Sequence, residues 1–225
     1  MKTLKLLSVP LLLSLFLVLT SAQSAGKEKE TERIQNATKV LNTFAGSDET
    51  IPQELLKVTE GIVVIPKMIN ASFGIGGKRG KGIATVKLAD GTWSNPVFIT
   101  LTGGSIGFQI GVQSVDLVLV FKNKGVLTQV KNGDFTIGGD ISAAAGPVGR
   151  SSSASTDHKL EAEVYSYSRS RGLFAGISVN GSNLAIDKSA NANFYGANMT
   201  SQQIFETSKS SAAPVTALKT ALKGL

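Results

Sequence analysis

The apolar pattern of this chain changes period at Gly61, and that change limits the possible folds more than any other feature. Upstream, Ile34, Ala37, Leu41 and Phe44 recur every three to four residues, which places them on one face of a helix over 27–45. Gly46 supplies a stop for that helix. A second, shorter helix is predicted from Thr50, whose hydroxyl can cap the backbone while Gln53 reaches back, with Pro52 in the first turn and an end near Glu60.

From Gly61-Ile62-Val63-Val64-Ile65-Pro66 onward the chain reads as strands. Candidates are 61–66, 69–75, 82–88, 97–102, 105–111, 115–121, 134–141, 159–168, 173–179 and 183–187, with turns at Asp90-Gly91, Asn132-Gly133 and Asn180-Gly181. Glycine is frequent inside these strands, at Gly74, Gly76, Gly107, Gly111, Gly138, Gly139 and Gly176. It costs stability there unless the chain must bend or another backbone must come close. The pattern predicts an α+β fold: a curved, barrel-like antiparallel sheet with an N-terminal amphipathic helix and short peripheral helices. Helices are expected at 124–131 and 201–208, a polar loop at 151–156, and an amphipathic tail over 209–225 with Leu218, Ala221, Leu222 and Leu225 on one face.

Ahead of this domain, Lys2 and Lys5, the apolar run from Leu6 to Leu19 and the small residues around Ala22, Ser24 and Ala25 read as a signal peptide over 1–25. The apolar run is shorter than the ~20 residues that span a bilayer. The expectation is an exported protein, periplasmic or secreted, with residues 26–208 as its domain. There is no cysteine, so disulfides, thiolate metal sites and a lipid-modified N-terminal cysteine are all excluded. Of 23 basic and 16 acidic side chains, the signal holds two lysines and no acid, which leaves the mature chain at +5. That surplus suits anionic surfaces such as lipid headgroups.

Catalytic motifs are few. Gly103-Gly104-Ser105-Ile106-Gly107 matches the nucleophile-elbow pattern with His158 downstream, but the residues after Ser105 read as strand where an elbow needs a helix. His158 beside Asp157 is expected to be a solvated surface residue. No acidic cluster has zinc-ligand spacing, whereas a hard cation held by oxygen alone stays open. No catalytic residue, metal or cofactor is expected, and no nucleic-acid partner.

The segment from Phe73 to Gly82 holds Lys78, Arg79 and Lys81 among glycines that expose backbone amides. It misses the spacing of both nucleotide-binding glycine loops. It reads as a flexible basic turn between two strands, either solvated or touching lipid phosphate, where each cation contributes about 1 kcal/mol near an anionic membrane. Asp116, inside the apolar run from Val115 to Phe121, must face water or find a hydrogen-bond partner. Arg169 and Arg171 would share a strand face and either pair with acids such as Asp116 or form a phosphate fork.

Several of these segments together resemble the SYLF domain family: Gly61 to Pro66, the turn from Phe73 to Gly82, Trp93-Ser94-Asn95-Pro96, Gln109 to Asp116, Asp140 to Pro147, Tyr167 to Gly176 and Tyr195-Gly196. The resemblance implies a lipid-binding domain, with actin-binding endocytic proteins among its eukaryotic members and exported envelope proteins among its bacterial ones. An exported chain is not expected to meet cytosolic actin, so the leading expectation is non-enzymatic binding of anionic, phosphorylated lipid. Lys78, Arg79, Lys81, Arg169 and Arg171 are the expected cations, and Ile34, Leu41 and Phe44 the apolar contacts. The alternative is a protein-interaction module, with actin or an envelope protein as partner.

Overall fold

The computed structural model describes residues 8–47, 51–128, 134–146, 161–170, 173–174, 178–207 and 209–225, excepting the side chains of 8–24, 72–75, 105–110 and 173–174. The polar loop at 151–156, His158, the Asn132-Gly133 turn, the Thr50 cap and Arg171 lie outside the described residues. The fold is α+β, with a curved, barrel-like sheet, a long N-terminal helix and short helices around it. Among the described residues the chain runs α1 (Ser8–Ala45), α2 (Gln53–Lys57), β1 (Gly61–Val86), β2 (Val97–Phe121), α3 (Gly125–Thr128), β3 (Asp134–Ile137), β4 (Ala143–Ala145), β5 (Val164–Ser170), β6 (Leu173–Phe174), β7 (Ser182–Ile186), α4 (Lys188–Tyr195), α5 (Ser201–Phe205) and α6 (Ala213–Lys223).

Six of the expected short strands merge into two long ones. β1 and β2 form one antiparallel hairpin from Gly61 opposite Phe121 to Ala84 opposite Val97. Pro66, which cannot donate to a ladder, sits at a bulge between Ile65 and Met68. There Lys67 adopts a φ of 49°, and its N–H donates to the Asp116 carboxylate at 2.8 Å. Asp116 therefore serves the bulge.

The hairpin then folds back on itself. Lys87 N–H donates to the Glu60 carbonyl at 2.7 Å, so the two ends of β1 meet. A Cβ on Gly82 would collide with the Val64 carbonyl oxygen, and one on Gly80 with the Ile65 side chain. Those glycines let one half of β1 cross the other at backbone contact. In the sheet order β3-β7-β2-β5-β4, β1 and β6 pair with β2 and β5. Among the described strands β1–β7 the pairings are antiparallel except β4 with β5, whose residues Ala143–Ala145 run parallel to Val164–Ser166.

Each face of this sheet has its own core. The inner face gathers Val63, Ile65, Met68, Leu117 and Leu119, closed by Leu127 of α3 and by Ile204 and Phe205 of α5. The outer face, with Ile62, Val64, Ile83, Val118 and Val120, is covered by Ile34, Leu41 and Phe44 of α1 and by Val215, Leu218 and Leu222 of α6. The uninterrupted apolar run in β1 follows from this, because both faces are buried.

α2 begins at Gln53 on the Pro52 carbonyl, which accepts from the Leu55 and Leu56 N–H groups. The Gln53 amide donates to the Leu225 carbonyl at 2.8 Å. A capping box forms between Thr200 and Gln203 at the start of α5. No helix among the described residues is long and apolar enough to cross a membrane.

Candidate functional site

The cations of β1 are sorted by strand alternation. In unbroken register, Lys78 lies opposite Gly103, Arg79 opposite Thr102 and Lys81 opposite Thr100. Successive side chains point to opposite faces. Arg79 and Lys81 therefore point outward on the face of Ile83, while Lys78 points inward with Gly80 and Gly82. This corrects the expectation of a flexible turn: 73–82 is the middle of a strand, and Gly80 and Gly82 serve a close crossing within it, not a loop.

It also divides the three cations. Lys78 is only 5% exposed and donates its ammonium to the Ser178 carbonyl at 2.5 Å. Burial lowers its pKa. Lys81 keeps 58% of its side chain exposed, with Nζ 3.9 Å from the Asp187 carboxylate, and Arg79 is exposed. Lys78 is thus removed from the expected surface set.

The expected apolar contacts are corrected too. Ile34, Leu41 and Phe44 are fully buried against the outer face of the sheet and α6. Each contributes ~1.5–3 kcal/mol to folding by leaving water. A helical apolar stripe serves a protein core and a bilayer equally well as a pattern, and here the core takes it.

Arg169 lies opposite Asp116 in the β2–β5 ladder. Its guanidinium sits 5.7 Å from the centre of the Phe44 ring and donates to the Thr43 carbonyl at 3.4 Å. It closes the end of the outer core where α1 stops.

A charge cluster at the other end of that core carries no motif in the sequence. Arg33 on α1 binds Glu30 at 2.9 Å and Asp187 at 3.1 Å, and its guanidinium stacks 5.3 Å from the centre of the Phe98 ring. Asp187 also accepts from the Ala190 N–H at 3.1 Å and so caps α4. Burial raises the Glu30 pKa, more than Arg33 lowers it. For Asp187 burial acts upward as well, but hydrogen bonds from Ala190 and Ser189 and the Arg33 charge outweigh it and hold the carboxyl low. The cluster ties α1 to β1 and α4, and Lys81 extends it to the surface. An N-cap reading of Asp187-Lys188-Ser189-Ala190 would have flagged its central acid.

Ser105 lies within β2, opposite Gly76, with strand on either side and no helix after it. Among the described residues no three His, Asp or Glu side chains converge as metal ligands. A cavity of about 260 Å³ between β4, β5 and Ser178–Asn180 is lined by Ala143–Ala145, Ser166 and Val179, without a charged side chain. Of the three cations expected on β1, Arg79 and Lys81 are the exposed ones.

Comparison with known proteins identifies the chain's relatives. Residues 102–225 match the family model described as Ysc84, Las17-binding protein actin regulator. The chain is 36% identical over 179 residues to LAS seventeen-binding protein 3 of Saccharomyces cerevisiae, covering 76% of this chain and 39% of that protein. It is 37% identical over 179 residues to Protein YSC84 of the same yeast, covering 76% and 38%. It is 37% identical over 169 residues to SH3 domain-containing YSC84-like protein 1 of Xenopus laevis, covering 72% and 50%. The chain thus matches half or less of the length of these relatives.

Proposed function

Because this chain belongs to the Ysc84 family, the SYLF domain family of the sequence resemblance, we propose that it is a non-enzymatic binding domain of the cell envelope that attaches to surfaces of anionic, phosphorylated lipid. Export by the N-terminal signal and a periplasmic or secreted location are part of this reading. The observation that carries it is the outward pair Arg79 and Lys81 on β1, a strand that contains no Asp or Glu between Gly61 and Val86. Rigid backbone holds the two cations two residues apart on one face, so both can meet the same anionic plane. Attraction of about 1 kcal/mol per cation gives reversible, salt-sensitive attachment.

Cosedimentation of the mature chain, residues 26–225, with vesicles tests the reading. Binding is expected to rise with the phosphatidylglycerol content of phosphatidylcholine vesicles and to fall with salt. Equal binding to neutral and anionic vesicles would overturn it.

The names of the relatives favour a second reading, a protein-interaction module. The matched relatives include one named for binding Las17, and the family description names an actin regulator. Capture of one protein from envelope extract, at stoichiometry and without lipid, would support this reading over the first, as would cosedimentation with purified actin filaments. Absence of enzymatic activity belongs to both readings, and labelling of Ser105 by a fluorophosphonate probe would contradict it.

A further inference from the structure

One row across the sheet holds a buried cation with donors to spare. Lys78, Gly103 and Ser182 stand side by side on β1, β2 and β7, in line with Leu184 and Ile137 of the inner core. Paired residues share a face, so Lys78 and Ser182 both point inward. Gly103 puts no side chain between them. Ser182 leans over the glycine, because a Cβ on Gly103 would lie 2.7 Å from its Oγ.

Lys78 is 5% exposed and Ser182 fully buried, and the described residues leave much of their hydrogen-bonding capacity unused. Ser182 Oγ has no hydrogen-bond partner among them. An ammonium has three N–H donors. That of Lys78 has one acceptor among the described residues, the Ser178 carbonyl, and no carboxylate within ion-pair distance. A buried charge without a counter-charge opposes folding, so stability alone gives no reason for a cation here.

Ser178 belongs to the wall of the cavity between β4, β5 and Ser178–Asn180. Its floor, Val179 and Ser166, is buried, whereas Ala144, Ala145 and Asn180 at its rim are exposed, so it can be entered from solvent. Ala143–Ala145 and Val179 make much of the lining apolar. Its volume of about 260 Å³ lies below the ~300–1,000 Å³ of sites for larger ligands, and suits a short chain.

We propose that the inside of the sheet binds a short aliphatic monocarboxylate, with the carboxylate on the Lys78 ammonium and the Ser182 hydroxyl and the chain along Ala143–Ala145 and Val179. One ammonium balances one negative charge, which favours a carboxylate over a phosphate dianion. The site is separate from surface attachment, because Arg79 and Lys81 point to the other face of β1.

Calorimetric titration of residues 26–225 with octanoate and with octanol tests the site. Octanoate is expected to bind once per chain, and octanol, which lacks the charge, roughly tenfold or more weakly. Lys78→Met should weaken octanoate to the level of octanol, and Ser182→Ala should weaken it less. Arg79→Gln with Lys81→Gln should bind octanoate as the parent does. Ala145→Leu, at an exposed wall position, should fill the cavity and abolish binding while the far-UV spectrum stays unchanged. It decides the matter if Lys78→Met does not fold. Octanoate binding that survives Lys78→Met or Ala145→Leu, or that the parent chain lacks at millimolar concentration, would overturn the site.

Discussion

The carbonyl oxygen of Val64 occupies the space that a side chain on Gly82 would need, although the two residues lie in the same strand. β1 can double back only because of that contact, and the doubling makes the sheet a barrel-like shell with two cores. Replacing Gly82 with alanine forces backbone against backbone, which a rotamer change cannot relieve. We expect a loss of 3 kcal/mol or more in urea unfolding, about the upper end of overpacking costs. Gly91→Ala is the comparison. Gly91 has a φ of 78° with open space around it, so only backbone strain opposes the change and the loss should be about 1–2 kcal/mol.

The buried helix face makes an opposite prediction to the membrane role that its pattern suggested. Leu41→Ala should cost ~2–5 kcal/mol of stability by transfer and cavity terms. Vesicle binding of the variant, measured where it is still folded, should equal that of the parent chain. A variant with normal stability and lost binding would return Leu41 to the membrane.

The ion cluster gives a pH dependence with a definite sign. The Asp187 carboxyl is held below its usual range when folded, so its contribution to stability is present above the unfolded value near 4 and is lost as pH falls through the folded value. Glu30, raised by burial, acts in the other direction: its contribution is present below the unfolded value and is lost as pH rises through the folded one. Asp187→Ala should therefore cost about 2–4 kcal/mol at neutral pH, through the lost cap and the strand-side partner of Arg33. The deficit of Asp187→Asn relative to the parent should shrink as pH drops below ~4. Denaturation series at several pH values read both effects.

Lys78 is distinguished from its neighbours by burial. A lysine with a lowered folded pKa has its stability contribution above the unfolded value near 10.4 and loses it as pH falls through the folded value. The stability of the parent relative to Lys78→Met should accordingly improve as pH rises from neutral toward ~10. Vesicle binding should be unchanged by Lys78→Met, since its ammonium faces the Ser178 carbonyl and not the surface.

How much the sequence disclosed depended on whether a residue's environment is set locally. The α1 stripe, the barrel-like sheet, the Asp90-Gly91 turn and the C-terminal helix all follow from period and turn chemistry, and the structure has each of them. The strand count did not follow. Pro66 and the glycines from Gly74 to Gly82 read as punctuation, yet they sit inside one continuous strand, because a glycine that permits a turn and one that permits a close crossing are indistinguishable without the other backbone. The parallel pairing of β4 with β5 was missed for the same reason, being settled by distant partners, whereas the Asp187 cap on α4 is local and legible as an N-cap. For the surface, residue type picked out the β1 cations, but only the register separated inward Lys78 from outward Arg79 and Lys81.

The central claim is that Arg79 and Lys81 carry attachment to an anionic surface. It is tested most directly by the affinity of the chain with both replaced, Arg79→Gln with Lys81→Gln, for phosphatidylglycerol vesicles at several salt concentrations. Losing two contacts of about 1 kcal/mol each predicts roughly thirtyfold weaker binding and a shallower salt dependence. An affinity and salt dependence equal to those of the parent chain would contradict it.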